Sequence, residues 1–587
     1  MKHGTLTSVP LFALVSLIAV LACSCSDDST GPRPSPETEE PPWEIITTGV
    51  TFNAVWAASA RDRYAVGASG VIMHYDGQRW SAMRSGTTKD LYAVWGVDRS
   101  EIYTVGEGGK ILRYDGSEWL AINSGVPFDL YGVWGTAGDD VYAVGAWGSI
   151  LHYDGTGWAE MASGTNEHLH GIASGPSGIV AVGDNGTVRR YFNASWETVT
   201  TSASEHFRSV WISADGEWFI AGTNGTIMTY DIQSGTGGTV TPTSHHLTGV
   251  HGNDGDNIYA VGDDGTILHF DGTDWNAEAA GTQNDLHGVW CGDGGKAIAT
   301  GSVGTILTDY GAGWTISIEG ITASDLTALW GDTTNCAFAV GRNGTIFHYD
   351  GSAWSTMATG NSSALNDIWG FSGSAIFVIE NPSTILHYDG ADWSPMPSGT
   401  PYWLAGLWGS SGDDLFAVGL FGTIVHYNGT AWSTMATITS NNLYAVWGSA
   451  GDDVYAAGDV GTLLYYGGSG WSGRTSNTFQ FLIDIWGGSP DDIFAAGSMG
   501  TIVHYNGTNW MEMQTGTLKD LTCIWGTSAG HIFSAGSAGT VIRYDGTEWS
   551  DISSRLPITF TGIWEDPDGN LFAVGEWGTI LRYNPPD

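Results

Sequence analysis

Basic residues are scarce in this chain. Against 62 Asp and Glu stand only 20 Lys and Arg, a formal charge of −42 over 587 residues. Such a surface repels phosphate backbones and anionic headgroups, which argues against nucleic acid as a partner. Cysteine is nearly absent, with five in all, and two of these (Cys23 and Cys25) fall within the first 25 residues. The other three, Cys291, Cys336 and Cys523, are odd in number and far apart, so no disulfide framework or zinc spacing emerges. A Cys291–Cys336 pair across adjacent units is the one bridge worth considering. No segment after the leader carries a 3.6-residue apolar period long enough for a helix. Also missing are a nucleophile elbow, an HExxH pair and a phosphate loop. These absences predict no catalytic constellation, no metal and no cofactor.

What is abundant is glycine (86) and tryptophan (29). Seven tryptophans recur every 39 residues: Trp330, Trp369, Trp408, Trp447, Trp486, Trp525 and Trp564. Trp56, Trp95, Trp134, Ala173, Trp211, His251 and Trp290 hold the equivalent places in the first half, with small slips. Fourteen copies of one small unit follow from this spacing. The unit from Leu443 reads LYAVWGSAGDDVYAAGDVGTLLYYGGSGW. It holds three short β-branched and aromatic segments and the start of a fourth, bounded by Gly, Asp and Ser, which is strand composition. Pairs such as Asp154-Gly155 and Asn428-Gly429 supply the positive φ of tight hairpin turns.

A four-stranded meander of this size cannot cover both faces by itself, and radial stacking covers them. The expected fold is therefore all-β: two tandem seven-bladed propellers, with six plus eight blades as the fallback. The recurring indole is expected to pack between blades, with Ala173 and His251 marking weaker seams. The last unit stops without a fourth strand at Asn584, and Trp43–Gly49 resembles such a strand. The expected domains are 43–311 and 312–587, each ring closed by a borrowed outer strand at its own start, beginning at Trp43 and Trp314.

The phrase VWGSAGDDVYAAGDVGTLLYY resembles WD40-type and YVTN-type repeats. HYDGTGW, from His152 to Trp158, is similar to the Asp-box (BNR) turn of sialidase-like propellers and photosystem II assembly factors. The resemblance spans residues 43–584 and implies the propeller fold. The chain departs from it in having Asp154 and Gly155 adjacent and no WD dipeptide.

Residues 1–22 read as a secretory leader, and Val20-Leu21-Ala22-Cys23 resembles a bacterial lipobox. That resemblance implies a lipid on Cys23 and an outer-membrane or cell-surface protein, or a secreted one without the lipid. Residues 23–42 read as a disordered acidic, Pro-rich tether.

Acidic turns (Asp139-Asp140, Asp413-Asp414, Asp452-Asp453, Asp491-Asp492) and the Asp566–Asn570 loop offer two or three oxygens each, against the six to eight calcium takes. The third-strand histidines His74, His152, His269, His348, His387, His426 and His504 alternate with Arg113, Arg543 and Arg582. That interchange points to a structural partner for a nearby acid or carbonyl. The candidate binding site is an apolar arc on turn tips and interblade links of the second ring: Tyr402, Trp403, Leu420, Phe421, Val460, Phe479, Phe481, Met499 and Trp577. The expected role is a monomeric, non-catalytic, envelope-anchored scaffold for an unknown protein or glycan. A polysaccharide-active glycoside hydrolase or lyase, with acids in a propeller funnel, is the alternative.

Overall fold

The computed structural model describes residues 43–583, apart from 202, 233, 293–295, 312, 319, 321, 323, 333–335, 352, 359, 361, 529 and 568. The leader (1–22), Cys23 and the tether (23–42) lie outside the described residues, as do Asp568 of the proposed calcium loop and Asn584.

Among the described residues are fourteen antiparallel sheets of four strands each. Thirteen are simple meanders. In the blade 443–475, strand Leu443–Ala450 pairs with Asp453–Gly458, then Thr462–Tyr466, then Trp471–Thr475. The first strands of seven blades, from Phe52 to Gly292, pack side by side in order, and the seventh returns to the first. At that return a Cβ on Gly288 would stand 3.0 Å from the Cα of Ala54. A second circle runs from Leu326 to Glu565, where Thr561 Oγ1 donates to the Leu326 carbonyl (2.7 Å). The arrangement is seven plus seven blades.

The repeated Trp-Gly dipeptide has a packing cause. Eight of the twelve recurring indoles lie over the glycine of the next blade's first strand, among them Trp56 over Gly96, Trp408 over Gly448 and Trp447 over Gly487. A Cβ on Gly96 would meet the Trp56 ring at 2.8 Å. Neighbouring indoles also touch, as Trp95 does Trp134 (centroids 6.0 Å) and Trp369 does Trp408 (6.2 Å). At the two odd positions other groups fill the seam. Trp218, fully buried, packs in the cluster that holds Ala173 and donates its indole N–H to Ser177 Oγ (2.9 Å). His251 stacks on Trp290 and accepts the Cys291 amide at Nδ1 (3.1 Å).

Strand exchange corrects the expected closure. Strand Trp314–Ile318 pairs with Ile306–Asp309 as the fourth strand of the first ring's own last blade. The first ring, 52–318, borrows nothing. The N-terminal strand Trp43–Thr47 instead pairs with Ile580–Tyr583 and completes the last blade of the second ring. The boundary expected at 311/312 therefore moves past Ile318, and residues 43–47 belong with 326–583. From Thr47 the chain crosses directly to the first ring through a buried segment. There Gly49 donates its amide to the Trp577 carbonyl, and Gly304 donates to Val50 (2.8 Å). One hydrophobic cluster draws on both rings, joining Val50, Phe52, Met73 and Ile306 to Leu556, Ile558, Phe560 and Leu581.

Cys291, Cys336 and Cys523 are all free, so the considered Cys291–Cys336 bridge does not form. Cys336 Sγ lies 3.2 Å from His348 Nε2.

Candidate functional site

The link between second and third strands is built alike in twelve blades. A single tight turn holds its middle residue in the left-handed region, and the next residue is a buried glycine. In several blades the middle amide is captured by a side chain at the entrance to the next blade, 21 residues on except at Trp577, whose partner is 252 residues earlier because the ring closes there. Phe421 donates to Asn442 Oδ1 (3.0 Å), Met499 to Asp520 Oδ1 (2.8 Å), and Trp577 to Asp325 Oδ1 (3.1 Å).

Only Gly, and to a lesser degree Asn or Asp, enters that region cheaply. The first ring follows this at four tips, Gly108, Asn185, Asn224 and Asp264, and departs from it at Ser69, Trp147 and Val303. The second ring puts Phe421 (φ 59°), Val460 (φ 55°), Met499 (φ 57°) and Trp577 (φ 59°) there. A β-branched residue at positive φ is a true outlier. These side chains do not gain burial in return: Phe421 is 63% exposed, and Val460 and Met499 are 54% exposed. Neither backbone preference nor packing accounts for them, and strain of this kind concentrates at working surfaces.

Around them the interblade links add Tyr402, Trp403, Phe479 and Phe481, all exposed. Tyr402 and Phe421 meet edge to face at 5.4 Å, and Leu420 donates its amide to the Trp403 carbonyl (2.9 Å). Val460's neighbour Gly461 donates to Gln480, between Phe479 and Phe481 (2.8 Å). The sequence-derived set is thus brought together across blades 404–434, 443–475 and 482–512, except for Trp577. Ala538 interrupts the series, and Trp577 lines a separate cavity with Ser69 of the first ring, Asp325 and Arg342. Exposed Ile438 and Leu518, on links of the same kind, were missed, although each stands as a lone apolar residue in a polar link.

The arc borders a central channel of about 610 Å³, to which Trp403 and Leu420 also contribute. All seven blades line it with the start of their first strands. The third residue of those strands is small in twelve of the fourteen blades, as at Ala445, Gly406 and Gly562. The exceptions are Asp367 and Asp484, both in this channel. Asp367 accepts the Ile368 amide (2.8 Å) and, across the seam, the Leu407 amide (2.7 Å). Asp484 accepts Ile485 and Ile524 in the same way, both at 2.8 Å. Burial pushes Asp367 up to about 7, against the pull of those amides, and the charge of Asp484 adds to the rise. Burial likewise lifts Asp484 to about 6. Sequence reading passed over both, although an Asp in a column of Ala and Gly was visible.

The third-strand histidines are stapled to the second strand. Nε2 lies 2.9 Å from Asp62 in His74, 2.8 Å from Asp140 in His152, and 2.6 Å from Asp414 and Asp492 in His426 and His504. In three of the four acidic turns one acid is thereby engaged, and in the fourth Asp453 accepts from Ser449 Oγ. Asp566 accepts the Asn570 amide (2.8 Å) and side chain (2.7 Å). Among the described residues no group of three His, Cys, Asp or Glu is arranged to hold a metal ion.

The first ring carries a second polar cluster that sequence reading missed. Asp184 Oδ1 receives His170 (2.8 Å), His206 (3.0 Å) and Arg208 (3.4 Å). Trp147, 64% exposed on its own left-handed tip, packs on His168 (5.0 Å). The sequence signal was a His just before or inside the first strands of adjacent blades.

No protein-family model matches the chain, and no curated protein matches its sequence. Solved structures do. PorZ, a bacterial surface component of the type-IX secretion system of Porphyromonas gingivalis, is 12% identical with a TM-score of 0.55. The match covers 92% of this chain and 86% of PorZ. YCF48 bound to D1 peptide and YCF48 from Cyanidioschyzon merolae are each 17% identical with a TM-score of 0.39. They match 45% and 46% of this chain, and 93% and 98% of their own lengths. At such identities the PorZ likeness speaks to the propeller fold alone.

Proposed function

We propose that this chain is a non-catalytic binding scaffold, carried on the bacterial cell envelope by a lipid on Cys23, whose second ring receives a protein partner on the arc around its channel mouth. The observation that carries this reading is the cost of the arc. Phe421, Val460 and Met499 occupy left-handed positions that favour Gly or Asn, and they leave apolar surface in water. A partner that covers them repays both. PorZ is described as a bacterial surface component, which supports placing a chain of this fold on an envelope.

The test compares the wild-type chain with a Trp403, Phe421, Phe481, Met499→Ala quadruple variant in pull-downs from the native envelope. The variant is expected to lose a band that the wild type captures. Identical capture refutes the arc. For the anchor, cells fed labelled palmitate are expected to yield labelled protein, and labelling is expected to vanish in Cys23→Ala.

A polysaccharide-active enzyme remains the second reading because Asp367 and Asp484 share one cavity. Both oxygens of each are held by backbone amides, which suits a fixed charge better than a proton shuttle. Release of reducing ends from envelope polysaccharide, lost in Asp367→Asn, would establish it.

A further inference from the structure

The reading of the second-ring rim as a polypeptide-binding surface leaves its channel unexplained. Two carboxylates project from the wall, yet among the described residues no Lys, Arg or His lines the channel. Among the described residues their hydrogen bonds are to backbone amides. The amide duty does not require a charge. In the first ring Ser209 does the same work, accepting the Val250 amide at 3.2 Å. Most other blades manage with Ala or Gly. A carboxylate half-buried in a largely apolar channel and lacking a counter-charge is costly to ionise, and a cation placed beside the pair would remove that cost. A carboxylate has about four acceptor sites, and the amides occupy two of them on each Asp.

We propose that the second ring's channel takes up a lysine or arginine side chain presented by the partner polypeptide, which pairs with Asp367 and Asp484 while apolar residues beside it rest on Trp403, Phe421 and Phe481. This rests on the rim reading above. The cation is assigned to a polypeptide, not to a free amine, because Trp403 and Leu420 belong both to the channel lining and to the apolar arc. A free amine has no use for that arc.

The test uses the chain from residue 24 onward and fluorescence anisotropy. The probe is the labelled peptide Leu-Phe-Arg-Phe-Leu; its citrulline counterpart has nearly the same shape without the charge. Arginine is expected to bind at least about tenfold more tightly, the range of a charge-assisted pair. An Asp367→Ser, Asp484→Ser variant, patterned on Ser209, is expected to erase that difference. Affinity for the arginine peptide is expected to fall between pH 8 and pH 5 as the two acids protonate. Tyr444 and Cys523, the other titratable groups on the lining, stay neutral there, since burial raises both.

Equal binding of the two peptides by the wild type overturns the proposal, whether or not the variant folds. Spermidine that competes as well as the peptide overturns its assignment to a polypeptide. If Phe421→Ala, Phe481→Ala abolishes binding but the serine variant leaves it intact, the channel falls and the rim reading stands. If charge selection persists with the rim pair removed, the rim reading falls and the polypeptide assignment falls with it.

Discussion

The indole N–H of Trp43 donates to the carbonyl of Ile552, 509 residues further on, at 2.7 Å. Alongside it Arg582 Nε donates to Glu44 Oε2 (3.1 Å), so the N-terminal strand is both paired and charge-matched to the second ring. The same strand leads straight into the first ring. Deleting residues 43–47 is expected to bare the edge Ile580–Tyr583 and to lower the melting temperature by many degrees. Hydrogen exchange should quicken first at 571–583. Glu44→Ala removes only a half-exposed pair and is expected to cost at most about 1 kcal/mol. An unchanged melt for the deletion would show that the strand is dispensable.

Val460→Gly is expected to stabilise the protein. It relieves a β-branched residue at φ 55°, where an L-side chain costs about 1–2 kcal/mol, partly offset by the entropy of glycine. Urea titration should show a higher midpoint at unchanged slope, and the arc should bind its partner less well. A lower midpoint would mean the side chain supports the blade.

Gly487→Ala drives a methyl toward the Trp447 ring, 2.6 Å from its nearest atom. Overpacking of this kind costs about 1–3 kcal/mol. Gly412, whose Cβ would meet nothing, is the control and should tolerate alanine. Equal melting points would disprove the indole-on-glycine account of the Trp-Gly repeat.

Asp367 gives a pH signature with a defined sign. Its folded value of about 7 lies above the ordinary carboxylate value of 3.8. Between these limits the folded state holds more protons than the unfolded one, so Asp367 costs stability as pH rises through the window. The melting-point gap between Asp367→Ser and wild type should therefore shift in the variant's favour from pH 4 to pH 8. His251 acts in the opposite sense. Burial lowers it to about 4, so the wild type loses stability as pH falls below 6.5. Because His251 is common to both proteins, its effect cancels in the difference. A gap independent of pH would show that Asp367 is not shielded from water.

The blade was legible because its causes are local. Strand composition, Asp-Gly turns and the 39-residue period each act within a few residues, and together they specify a four-stranded meander. Most of the arc was legible for the same reason, since turn tips could be located and an apolar residue there stands out. The channel acids were visible as letters but not as a pair, because Asp367 and Asp484 lie three blades apart and meet only through ring closure.

The sequence by itself determined fourteen blades and the exposed tips. It did not determine which ring each spare outer strand completes. Trp43-Glu44-Ile45-Ile46-Thr47 and Trp314-Thr315-Ile316-Ser317-Ile318 are alike as local patterns, and either would fit the edge of a third strand. The one mark of a difference is spacing: nine positions separate Trp43 from Phe52, against eleven from Trp158 to Leu169. Tertiary structure made the choice, because Val50 and Leu581 are buried in one core drawn from both rings. That burial, together with the Glu44–Arg582 pair, exists only when the N-terminal strand lies on the second ring.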